Sequence, residues 1–167
     1  MDAEQLRALQ GPLKAKYKES PDAALVTLHA RGRVGESRIT CRIETGMSGL
    51  EAGLHPATGG DGTEACSGDM LLEALAACAG VTLKAVATSM GIAMRSATVS
   101  VDGELDFRGT LGVDKSAPVG FRAIRMTFDI DSDASKEQLD KLVQLTERYC
   151  VVYQTLAKPA AISVTVK

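Results

Sequence analysis

The chain has 167 residues, 45% of them hydrophobic and 24% charged, with a formal net charge of −2. This is the size of one ordinary domain with apolar residues enough for its own core, and the lack of a Lys/Arg block argues against nucleic-acid binding. There is no tryptophan and there are only six Phe and Tyr together, so the core must be built from Ala, Val, Leu, Ile and Met.

The N-terminus, MDAEQLRALQ, is polar and has no apolar signal region. Residues 1–20 read as an arm or short helix, interrupted by Gly11-Pro12, and residues 21–167 as a single domain. Ala24 to His29 reads as a strand. Arg38 to Glu44 is a clearer one, with Ile39, Cys41 and Ile43 on one side and Arg38, Thr40 and Arg42 on the other. Residues 46–68 change character: seven of these 23 are glycine, with His55-Pro56 in the middle. A structureless loop of that length is uncommon and often functional. It is not a phosphate loop, since no Gly-Lys-Ser/Thr follows.

A long helix is expected over Asp69 to Met90, with Ser67 or Asp69 as N-cap and Gly91 closing it. This is the most apolar run of the chain, but Glu73 and Lys84 interrupt it. It reads as a central, buried helix rather than a membrane span. Cys78 falls about 140° from Glu73 around the axis, in a stripe with Leu71, Leu75, Thr82 and Ala85. Residues 96–108 alternate, and Asp102-Gly103 there is either a hairpin turn or a bulge in one strand. Gly120 to Ile130 is a strand with Ile124, Met126, Phe128 and Ile130 on one face. Ser135 to Gln138 has capping-box form and opens a second helix, whose stripe runs from Leu139 through Cys150 to Tyr153 before Pro159 ends it. Ile162, Val164 and Val166 make a last strand. The order predicts an α+β fold of antiparallel sheets with a long central helix and a second helix. A helix this apolar needs more cover than one small sheet provides, which points to an intimate homodimer.

With no export signal, the expected compartment is the cytoplasm, where thiols stay reduced. Four cysteines there suggest packing, metal or redox chemistry. Cys41, on the apolar side of a strand, reads as a core residue. Cys66 precedes a helix N-terminus, which can activate a thiol. It lies about 18 Å along the helix axis from Cys78, too far for a bond. Cys78 and Cys150 each sit on the apolar stripe of a separate helix, and from pattern alone they are core residues or a redox pair. A metal site is disfavoured, since no Cys-x-x-Cys spacing occurs and only His29 and His55 are available to help.

Ser67 to Cys78 (SGDMLLEALAAC) resembles the central-helix motif of the OsmC/Ohr family: Ser/Asn-Pro, an acidic residue, a Leu-rich stretch, then Ala-Ala-Cys or Ala-Gly-Cys. Gly59 to Gly62 resembles the family's Gly-rich approach, Val101 to Phe121 a strand pair of its OsmC-like members, and Cys150 to Leu156 its Cys-Pro-Val segment. The resemblance spans about residues 38–167. It implies an intertwined homodimer with sites at the subunit interface and a thiol-dependent peroxidase that reduces organic hydroperoxides in an oxidative stress response. By position, Cys78 is then the peroxidatic cysteine and Cys150 the resolving one. An arginine from the N-terminal strands, Arg33 or Arg31 with Arg38 behind them, would stabilise the thiolate, and Asp69 would orient that arginine. No cofactor is bound; reducing equivalents come from an external dithiol of lipoyl or similar type. The chain departs from the pattern at Gly68, where the family has Pro, and at Val151, where a Pro would start a fresh helix. The alternative is a non-catalytic dimer of the same fold holding an apolar small ligand at the subunit interface, with no nucleic-acid or membrane partner in either case.

Overall fold

The computed structural model describes residues 1–35, 39–44 and 49–166. Their elements in chain order are α1 (Ala3–Glu19), β1 (Arg31–Val34), β2 (Thr40–Glu44), β3 (Leu50–Gly53), β4 (Ala65–Cys66), α2 (Ser67–Met90), β5 (Ser96–Glu104), α3 (Phe107–Thr110), β6 (Ala123–Asp131), α4 (Lys136–Tyr149) and α5 (Val151–Ala157). Strands β1 to β4 form one sheet, antiparallel except for the parallel β3–β4 pair, and β5 pairs with β6 in a second. The chain divides into two compact units. One comprises residues 1–19, 74–100 and 126–167, the other residues 20–73 and 101–125.

The first unit holds the main core. The buried residues of α2 are Leu75, Ala79, Leu83 and Ala87, four apart and therefore in one stripe along the helix. Leu83 and Ala87 pack with Ile92 and Leu142, and Val99, Phe128, Ile130 and Leu139 close around them. Within one chain α2 is buried only along this stripe: Val81, on the opposite face, is 74% exposed. By length and composition α2 would also be able to cross a membrane, but here its stripe makes the core. It starts at Ser67, directly after β4, and ends at Met90, closed by Gly91, whose φ of 70° lets the Ile92 N–H reach the Ala87 carbonyl at 2.9 Å.

The capping box of α4 forms as the sequence predicts. Ser135 Oγ accepts from the Gln138 N–H at 3.3 Å, and Gln138 Oε1 accepts from the Ser135 N–H at 2.9 Å. The single helix expected through to Pro159 is instead two. Cys150 is extended, at φ −74° and ψ 110°, and caps a new helix at Val151. Two consecutive β-branched residues there, Val151 and Val152, favour such a break without a proline.

Strands β5 and β6 keep the predicted alternation, with Val99 and Val101, and Ile124, Met126, Phe128 and Ile130, half-buried. Asp102-Gly103 lies inside β5, not in a hairpin turn. Leu105 and Phe107 have left the strand, because Asp106 Oδ1 accepts from the Arg108 N–H at 3.1 Å and starts α3.

In the second unit, Cys41 and Ile43 of β2 are half-buried and Arg42 is exposed, as expected, whereas Ile39 precedes the strand and is exposed. Arg38 lies outside the described residues, as do residues 46–48 of the Gly-rich stretch. That stretch is not structureless: it holds β3, a turn of 3-10 helix at Pro56–Thr58, and β4. Gly60 lets it fold back on itself, since a Cβ there would stand 1.8 Å from the Leu54 carbonyl oxygen.

Two predicted strands do not form. Pro21–Ala24 is a 3-10 turn, and Leu25–Ala30 and Ala161–Val166 belong to no strand. A strand exists only through a ladder partner, and among the described residues these segments have none. Helix α1 runs unbroken through Gly11-Pro12 and buries no residue.

Candidate functional site

The break between α4 and α5 is where the backbone supplies unused donors. The first N–H groups of any helix lack a partner within it. Here the Tyr153 N–H turns to Cys150 Sγ at 3.5 Å. The Val151 and Val152 N–H groups hydrogen-bond the sulfur of Cys78, in the middle of α2. The rest of the junction is satisfied locally. The Cys150 N–H reaches the Thr146 carbonyl at 2.9 Å, the Gln154 N–H reaches the Cys150 carbonyl at 2.9 Å, and Gln154 Nε2 donates to the Glu147 carbonyl at 2.9 Å.

Cys78 is half-buried and Cys150 fully buried, and neither is in a disulfide. The Cys150 thiol donates to Cys78, and the Thr82 hydroxyl, one turn further along α2, donates as well. Burial pushes the Cys78 thiol up. The bonds from the Val152 N–H, the Cys150 thiol, the Val151 N–H and Thr82 outweigh that push and hold it below its ordinary value. Burial pushes the Cys150 thiol up as well. The Tyr153 N–H opposes the rise, but the bond to Cys78 and the charge of the Cys78 thiolate add to it, and the balance lies above the ordinary value. The two sulfurs thus form one coupled pair with opposite tendencies: Cys78 is the better thiolate and Cys150 the group that keeps its proton.

The other predicted site residues lie in the second unit. Arg31 and Arg33 are exposed on β1, opposite Glu44 and Arg42 of β2 in the strand register. Asp69 is exposed in the first turn of α2. Cys66 is half-buried at the end of β4, and Cys41 half-buried on β2. Among the described residues no three His, Cys, Asp or Glu side chains group as a metal site. Sequence reasoning placed Thr82 in the Cys78 stripe without giving it a task; its signal was the i,i+4 spacing. The donors of Val151 and Val152 are backbone groups, which no side-chain pattern announces.

A family model for OsmC-like protein matches residues 60–165. No curated protein matches the sequence. Among solved structures, the OsmC-like protein of Mycoplasma pneumoniae superposes with a TM-score of 0.67 at 18% identity, over 80% of this chain and 89% of that one. An organic hydroperoxide resistance protein of Elizabethkingia anophelis gives 0.64 at 16% identity, over 81% and 91%. The organic hydroperoxide resistance protein OsmC of Legionella pneumophila gives 0.63 at 17% identity, over 81% and 92%.

Proposed function

The chain belongs to the OsmC-like protein family, and from that premise we propose that it is a thiol-dependent peroxidase that reduces organic hydroperoxides. The reading rests above all on the Cys78–Cys150 pair, in which one thiol is held low by four donors and its partner is held high by burial. A peroxidatic cysteine must be a thiolate, and a resolving thiol must wait beside it.

The Cys78 thiolate attacks the terminal peroxide oxygen. A sulfur–oxygen bond forms, the oxygen–oxygen bond breaks, and the alkoxide leaves and takes up a proton as the alcohol. Cys150, whose thiol already faces Cys78, is a ready donor for that proton. Sulfur is oxidised to sulfenic acid and the peroxide is reduced, a two-electron exchange. Cys150, now the thiolate, then attacks the Cys78 sulfur; the sulfur–sulfur bond forms, the sulfur–oxygen bond breaks, and the hydroxide that leaves takes a proton from solvent to become water. An external dithiol, of lipoyl type or similar, reopens the disulfide by exchange and is itself oxidised. Arg33 or Arg31 polarises the peroxide and thiolate, and Asp69 orients that arginine. The working form is a homodimer in the cytoplasm. Its support is the apolar surface one chain leaves open: Val81 on α2, Leu25, Val26 and Leu28 near the N-terminus, and Ile162, Val164 and Val166 near the C-terminus are each at least 72% exposed.

The test is consumption of cumene hydroperoxide with dihydrolipoamide as reductant, followed in the wild type and in Cys78→Ser. Turnover in the wild type that disappears in the variant is expected. Full activity in Cys78→Ser overturns the assignment of Cys78, whereas absence of turnover together with no peroxide-induced Cys78–Cys150 disulfide overturns the peroxidase and selects the ligand-binding dimer.

A further inference from the structure

The second unit contains a cavity of its own, of about 380 Å³, at the small end of the ~300–1,000 Å³ typical of small-molecule sites. Its walls are Leu54, Leu71, Leu105, Phe107, Val119 and Phe121, and among the described residues no Asp, Glu, Lys or Arg lines it. Leu54, Leu71 and Val119 are exposed at its mouth, and a charged ligand would find no counter-charge on its walls, whereas a neutral one needs none. The walls are held in place. Phe121 lies against Gly103, where a Cβ would come within 2.4 Å of the ring. His55 stacks on Phe107 at 4.8 Å between ring centroids. The Ala57 N–H donates to His55 Nδ1 at 3.0 Å, so the proton of the neutral imidazole sits on Nε2.

Gly68 lines the same cavity, in the first turn of α2. Its φ is not among the positive ones, so its backbone does not require glycine. A Cβ there would stand 3.5 Å from Cys66 Sγ and 3.6 Å from both Leu105 Cδ1 and Phe121 Cζ. These are ordinary contact distances, so the position tolerates a side chain. Any side chain longer than a methyl must grow among three wall groups, and glycine is what leaves that space open. Cys66 stands at the same wall with a free thiol.

The geometry points to a binding site in this unit for a neutral, mostly apolar small molecule with an aryl or branched-alkyl skeleton. The skeleton packs on Phe107, Phe121 and the leucines, and a polar group meets the rim of His55, Thr58 and Thr110. Nothing in this site draws on the Cys78–Cys150 chemistry, and its test contains no peroxide.

The probe is N-phenyl-1-naphthylamine, a neutral two-ring fluorophore, titrated into the wild-type protein. Saturable fluorescence enhancement at one site per chain is expected. At saturation the probe should slow N-ethylmaleimide alkylation of Cys66 at least about threefold while leaving Cys41 unchanged, each read by peptide mass spectrometry. Gly68→Leu should weaken probe binding by about tenfold or more, the scale of overfilling a packed space. Gly68→Ala should retain binding and fold at least as stably, since alanine is the better helix former. Absence of saturable binding, binding that leaves Cys66 alkylation unchanged, or undiminished binding in folded Gly68→Leu overturns the proposal. The alkylation arm uses only wild-type protein, so a misfolded leucine variant does not remove the test.

Discussion

Thr82→Val tests whether donors to Cys78 set its reactivity. Valine matches threonine in shape and β-branching, so the helix and its packing persist and only the hydroxyl is lost. A hydrogen bond to a charged group is worth about 1.5–3 kcal/mol. Three donors remain around the sulfur, the Val152 N–H, the Cys150 thiol and the Val151 N–H, and the half-buried site admits water. The loss is therefore set nearer ~1 kcal/mol, about a fivefold smaller thiolate fraction below the titration midpoint. The sign follows from the lowered Cys78 thiol. In the wild type the thiolate persists as pH falls below the ordinary thiol range. In the variant the acid limb moves up in pH, and the two proteins converge at alkaline pH, where both are ionised. The assay is the iodoacetamide alkylation rate of Cys78 from pH 5 to 10, resolved by peptide mass spectrometry with Cys41 as the internal control. Overlapping profiles within twofold would refute the view that Thr82 supports the thiolate. A fall in kcat/KM for hydroperoxide should follow the same factor.

Cys150→Ser should still consume about one equivalent of peroxide and then stall, with the sulfenic acid trapped by dimedone and no intramolecular disulfide on a non-reducing gel. Leu142→Ala removes a fully buried side chain between α2 and the β5–β6 pair and should cost about 2–5 kcal/mol in urea unfolding. Asp106 is held down to about 2 by its hydrogen bonds to Arg108, from an ordinary 3.8. Its contribution to stability is thus present above pH 3.8 and is lost as pH falls through about 2. Asp106→Asn should therefore flatten that part of the acid-unfolding curve followed by circular dichroism.

The periodic elements were legible because each carries its own physics. The alternation of Ile124, Met126, Phe128 and Ile130 survives in β6, the Ser135 capping box is local by construction, and α2 follows its apolar run. What failed depends on partners distant in the chain or on the backbone. Leu25–Ala30 and Ala161–Val166 have strand-like composition, but composition does not supply a ladder neighbour. Phe107 continues the alternation of β5, yet the Asp106 cap two residues before Arg108 overrides it. Of the site, the two cysteines stand out in the sequence as helix-stripe residues. Their meeting, and the backbone donors around Cys78, depend on a helix break that only the extended conformation at Cys150 reveals.

That break also gives meaning to the departure at Val151. The OsmC/Ohr motif that this segment resembles has Pro after the second cysteine, and proline opens a helix well because the N–H it lacks would be unpaired there anyway. In this chain the corresponding N–H is not idle: Val151 donates it to Cys78. The junction forms without proline, so the substitution keeps the cap and adds a donor to the thiolate. Val151→Pro should therefore leave the fold intact, with a melting temperature equal to or above that of the wild type, because proline suits the first helical position. It should raise the Cys78 thiol toward its ordinary value and slow its alkylation at pH 6 by about three- to tenfold, the effect of losing one bond of ~1 kcal/mol to a charged sulfur. A Val151→Ala control retains the N–H and should alkylate at the wild-type rate. If the proline variant is folded and alkylates as fast as the alanine one, the Val151 N–H does not support the Cys78 thiolate, and the gain assigned to the missing proline is refuted.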